Sequence, residues 1–210
     1  MTQIHSETLF IDGPCGPLEA RWDRPEPPPS AGPCAILCHP HPLHGGTLTN
    51  KVVHTLAVGL ARLGVPALRF NFRGVGASAG TYDEGRGETE DLLAVIDHVR
   101  ACHPGGEIWL GGFSFGAFVA LRASRARPVA RLLTVAPPVN LFPCEAPPAV
   151  PWLLIQGDAD EIVPCDQVLA WAEALPHRPH IACLTGAGHF FHRRLGDLSE
   201  ALRRHWADAA

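Results

Sequence analysis

The chain has 210 residues, 46% of them hydrophobic and 18% charged, so it can bury a substantial core and is not a disordered chain. Its net charge is −4 with no dense basic run, which speaks against nucleic acid or an anionic membrane surface as a partner. No basic-then-apolar leader opens the sequence, no apolar run is long enough to span a bilayer, and the seven scattered cysteines include no CxxC pair, so the expectation is a cytoplasmic protein with free thiols.

The pattern begins with two short strands, Thr8–Asp12 and Leu18–Trp22, around the turn Gly13-Pro14-Cys15-Gly16. A proline-rich loop follows. The apolar run Cys34–Cys38 reads as a third strand buried on both faces, and it ends in the loop His39-Pro40-His41-Pro42-Leu43-His44-Gly45-Gly46. Thr49–Leu63 has helical spacing and Gly64 closes it. Val65–Phe72 is the fourth strand, followed by Arg73-Gly74-Val75-Gly76-Ala77-Ser78, a turn that lacks the order of a nucleotide loop. Gly87–Cys102 is an amphipathic helix with an acidic first turn.

Ile108-Trp109-Leu110 then runs into Gly111-Gly112-Phe113-Ser114-Phe115-Gly116. Gly112-x-Ser114-x-Gly116 is the nucleophile-elbow pattern, in which a serine stands on a sharp strand-to-helix turn and its neighbours are small because strand and helix pass close together. The N–H of Phe115 would open the next helix, aimed at a developing oxyanion. Beyond the helix Phe115–Ser124, strands at Arg131–Ala136, Pro151–Ile155 and His180–Leu184 alternate with helices at Gln167–Leu175 and Leu195–Trp206. Such alternation predicts a single α/β domain over 1–210, with a mostly parallel sheet flanked by helices on both faces and its ligand site beyond the carboxyl ends of the strands. The HPHP loop, Ser114, Asp160 and His189 all fall at those ends.

These pieces, HPHPLHGG, RFNFRGVGASAG, GGFSFGA, GDADEIVP and GAGHFF, resemble the α/β-hydrolase family over nearly the whole chain, in the family's order of serine, acid and histidine. The HPHPLHGG variant on a short chain is similar to a compact bacterial subgroup of serine hydrolases and carboxylesterases. The resemblance implies Ser114 as nucleophile and His189 as its base, with His192 the nearby alternative. Asp160 falls on the acid of the G-x-x-D-x-x-V-P motif. Asp158 then reads as a turn residue and Glu161 as a solvated charge. The second oxyanion donor would be the N–H of His41, or else of Leu43, since Pro40 and Pro42 have none. His39, His41, His44 and Cys38 are read as packing or cleft residues rather than metal ligands, and no cofactor is expected.

Only a proline-rich loop, Pro137–Val150, stands where many relatives carry a cap, so an open cleft without a lid is expected. Its rim candidates are Leu43, Phe113, Phe115, Leu141, Phe142, Phe190 and Phe191. The implied activity is hydrolysis of a small-molecule carboxylic ester through an acyl-enzyme. A thioesterase or small peptidase would use the same groups, and a non-catalytic binding module is the reading from another class.

Overall fold

The sheet is built of β1 (Gln3–Gly13), β2 (Gly16–Glu26), β3 (Cys34–Cys38), β4 (Ala67–Phe70), β5 (Ile108–Phe113), β6 (Arg131–Val135), β7 (Trp152–Gly157) and β8 (His180–Leu184). A computed structural model describes residues 2–29 and 31–206; Met1, Ser30 of the proline run, and positions 207–210 of the expected 1–210 domain lie outside the described residues. The strand order is β1-β2-β4-β3-β5-β6-β7-β8. β2 pairs antiparallel with both β1 and β4, and every pairing from β4 through β3 to β8 is parallel.

Every residue of β3, β5 and β7 is buried, as parallel strands covered on both faces require. Their alternate residues enter two cores. Ile36, Leu110 and Leu154 pack with α2 (Arg86–Cys102), α3 (Phe115–Ala126) and α4 (Cys165–Glu173). Leu37, Trp109 and Leu153 pack with α1 (Lys51–Arg62) and α5 (Leu195–Trp206), where Trp109 meets Trp206 edge to face at 5.0 Å. This is the doubly flanked, mostly parallel sheet that the alternation implies. Among the described residues no helix lies between β6 and β7, and no helix is long and apolar enough to cross a membrane.

Most element bounds shift by a few residues from the sequence reading, and α4 begins at Cys165 and ends at Glu173 rather than running Gln167–Leu175. β1 and β2 extend well beyond the expected hairpin, because the antiparallel register continues through mostly polar residues, Gln3–Glu7 against Trp22–Glu26, that leave no apolar alternation to read. Beyond Asp23, β2 pairs only with β1, so Pro25, expected in the loop, is tolerated inside the strand. The fourth strand ends at Phe70 rather than Phe72. Asn71 N–H turns to the Glu19 carbonyl and Phe72 N–H donates to the ring of His39.

Candidate active site

Ser114 joins β5 to α3 with φ 53° and ψ −122°, a conformation costing a non-glycine residue on the order of 1–3 kcal/mol. Its own N–H is anchored on the Val135 carbonyl at 2.8 Å. The glycines on either side make the turn possible. A Cβ on Gly112 would lie 2.3 Å from the Gly116 carbonyl, and one on Gly116 would lie 2.4 Å from the Cys38 carbonyl of β3.

Asp160 and His189 arrive from the ends of β7 and β8, which lie beyond β6 in the sheet. His189 Nδ1–H donates to Asp160 Oδ2 at 2.8 Å, which leaves Nε2 as the acceptor facing Ser114 Oγ at 3.1 Å. Both side chains are almost wholly buried. Burial opposes the charged carboxylate, but the His189 hydrogen bond and the backbone N–H groups of Val163 and Ile162 outweigh it and hold Asp160 below the usual carboxylate range. Gln156 Nε2 donates to the same oxygen as His189, at 3.2 Å. An acid so supplied with donors stays ionised and fixes the imidazole in one tautomer.

The two loops carrying these residues are laced together. Asp158 Oδ1 accepts from Gly186 N–H at 2.6 Å, Ala159 N–H donates to the Ala187 carbonyl, and Glu161 Oε2 accepts from His189 N–H at 3.2 Å. Asp158 does stand in a turn, but its carboxylate bonds the base loop rather than its own. Glu161, read as a free solvated charge, is instead bonded to the backbone of His189, although its side chain remains exposed. His192 is exposed beside Phe190 and takes no part in the chain of hydrogen bonds.

On the other side of Ser114 lies the loop after β3. His39 is fully buried: its Nδ1–H donates to the Pro40 carbonyl at 2.7 Å and its Nε2 accepts from Phe72 N–H at 3.1 Å. Burial pushes its pKa down to about 4, the Pro40 bond opposing only in part. His41 Nδ1 accepts from Leu43 N–H at 3.2 Å, so the ring proton sits on Nε2, 3.1 Å from the Tyr82 hydroxyl. The Leu43 amide is thereby engaged, which removes it as the fallback oxyanion donor. The backbone N–H groups of His41 and Phe115 have no acceptor among the described residues. Cys38 is buried in the sheet and His39 is committed to backbone groups, so neither faces His41 and His44 as a ligand set would require.

Arg73, in the turn after β4, clamps Asp91 of α2 with its guanidinium in a buried pair. Tyr82 carried no motif signal, since its partner lies 41 positions away in the chain.

Ser114 opens onto a cleft of about 650 Å³. Phe115, Leu141, Phe142, Ile162 and Phe190 form its apolar wall, and His41, His44 and Asn50 its polar one. Among the described residues no Asp or Glu lines it. Phe113 and Phe191, expected at the rim, are instead fully buried in the core, because hydrophobicity alone does not reveal which face they take. Leu43 is exposed but lies outside the cleft lining.

A family model described as serine aminopeptidase, S33, matches residues 41–150, a span that takes in the loop from His41 onward and the elbow. The chain belongs to that family, and so to the α/β serine hydrolases. The hydrolase is 36% identical over 206 residues to an uncharacterized protein of Rickettsia prowazekii, covering 92% of this chain and 86% of that protein. Its structure is similar to that of a serine hydrolase without a lid from Xanthomonas campestris, with 46% identity over 97% of this chain and 94% of that one and a TM-score of 0.92. A serine hydrolase homologue from Coxiella burnetii is also 46% identical, covering 100% and 99% of the two chains, with a TM-score of 0.89.

Proposed function

We propose that this hydrolase cleaves small carboxylic esters through an acyl-enzyme on Ser114. The observation that carries the reading is the hydrogen-bonded chain Asp160–His189–Ser114, ending on a serine held at a strained turn beside a cleft. Ser114 Oγ attacks the ester carbonyl while His189 Nε2 takes its proton, and Asp160 stabilises the imidazolium. The tetrahedral oxyanion accepts hydrogen bonds from the N–H groups of Phe115 and His41. His189 returns the proton to the leaving alcohol, and water then enters by the same route to release the acid. The open cleft excludes water poorly, which favours hydrolysis over transfer to another acceptor. The odd, scattered set of seven cysteines supports a reducing cytoplasm as the setting.

The description of the matching family model raises a second reading, removal of an amino-terminal residue from a peptide. A site for that chemistry needs an acid to hold the substrate's ammonium group, and among the described residues the cleft wall supplies none. Apolar or neutral acyl groups fit it better. The test is hydrolysis of p-nitrophenyl acetate, butyrate and octanoate beside aminoacyl p-nitroanilides. Wild type is expected to work on the esters and leave the anilides untouched. Ser114→Ala, His189→Ala and Asp160→Asn should each lower kcat about 10³-fold or more. Labelling of Ser114 by a fluorophosphonate without ester turnover would keep the nucleophile and discard the substrate class. No labelling of folded protein would discard the enzyme reading.

A further inference from the structure

Acid and base reach the site on loops 158–164 and 185–191, which leave the adjacent parallel strands β7 and β8. Each loop is bounded by a cysteine where it meets regular structure. Cys165 opens α4 directly after the acid loop, and Cys183 stands in β8 just before the base loop. Their sulfurs are 3.8 Å apart, in mutual hydrogen-bond contact, and both thiols are free. It is the one thiol–thiol contact among the described residues. Cys183 is exposed and Cys165 is half-buried, so the pair can be reached from solvent on the side of Cys183. A disulfide needs an S–S distance of about 2.05 Å, so the sulfurs must close by roughly 1.8 Å at the exposed edge strand.

We propose that Cys165 and Cys183 form a redox-active dithiol that a low-molecular-weight disulfide closes into an intramolecular bond, tying the start of α4 to the edge strand β8. Cys183, the accessible sulfur, reacts first. Its thiolate attacks one sulfur of glutathione disulfide; a mixed disulfide forms, the glutathione S–S bond breaks, and one glutathione leaves as thiolate. Cys165 then loses its proton to solvent and attacks the Cys183 sulfur, expelling the second glutathione. Two protein thiols are oxidised and one glutathione disulfide is reduced to two glutathione thiols. Cys165 suits the resolving position. Burial first, then the contact with Cys183 and the nearby charges of Asp158 and Asp166, push its thiol up to about 12, so it is a poor first attacker. The closed ring runs from residue 165 to 183 and ties the end of the acid loop to the start of the base loop.

The pair is tested by incubating the full chain with excess glutathione disulfide and digesting it without reduction with a glutamate-specific protease, which cuts after Glu173 between the two cysteines. The expected product is one disulfide-linked species containing Cys165 and Cys183, two hydrogens lighter than the separate peptides. In Cys165→Ser, glutathione should remain attached to Cys183. The oxidised wild type should unfold about 5 °C higher than the reduced one. Dithiothreitol should reverse that gain, and both Cys165→Ser and Cys183→Ser should lack it. Glutathione persisting on wild-type Cys183 as it does in Cys165→Ser would overturn the proposal. So would modification of the exposed Cys15 and Cys102 with none at Cys183, or a linked species with no rise in unfolding temperature.

Discussion

The elbow at Ser114 and the loop from His39 to Gly46 flank the same cleft, and different forces hold them. At the elbow, backbone meets backbone: Gly112 and Gly116 bring α3 so close to β5 and β3 that neither position has room for a Cβ. In the loop, imidazoles act as struts. His39 spans from the Pro40 carbonyl to the Phe72 N–H, and His41 spans from the Leu43 N–H to the Tyr82 hydroxyl. A turn fixed by steric contact ignores pH but does not tolerate a methyl group. A loop fixed by neutral rings tolerates small changes of volume but depends on where its protons are.

The sharpest way to break the elbow is Gly116→Ala. The new Cβ must push α3 away from β3, at a cost of about 3 kcal/mol or more, read as a fall in the urea midpoint or as loss of folded protein. The loop is broken instead by acid. His39 has a folded pKa of about 4 against 6.5 in the open chain, so the unfolded state takes up the proton first. The resulting stability is fully present above pH 6.5 and is lost as pH falls toward 4. It amounts to about 3 kcal/mol, from the shift at 1.36 kcal/mol per unit. Urea midpoints at pH 7 and pH 4.5 should show the decline, and a His39→Asn variant should flatten it. The gentlest probe is Tyr82→Phe, which removes one hydrogen bond from the His41 ring, worth about 1 kcal/mol. If the His41 N–H stabilises the oxyanion, kcat should fall about 5-fold with KM nearly unchanged. A shift in KM alone would mean that Tyr82 only shapes the cleft.

What could be read from the sequence follows the same division. Ser114, Asp160 and His189 stand in short local patterns at strand ends, and the parallel sheet brings those ends together. The elbow is legible because its force is steric and its glycines are two residues from the serine on either side. The struts of the loop were not legible. Tyr82 meets His41 through the fold alone. Glu161 reads as one more surface charge until the base loop folds back onto it. Phe113 and Phe191 looked like rim residues because hydrophobicity alone does not say which layer a side chain joins.

The stretch from Ala136 to Pro151 leaves and rejoins the sheet on fixed terms: Ala136 N–H bonds the Ile155 carbonyl and Leu132 N–H bonds the Pro151 carbonyl. Leu141 and Phe142 hang from it into the cleft, and Asn140 ties it to the Ile162 carbonyl. With no helix inserted there, this single excursion writes much of the cleft's outer wall while contributing nothing to the relay. A lineage could exchange it residue by residue and change its diet while the inherited reaction stayed intact.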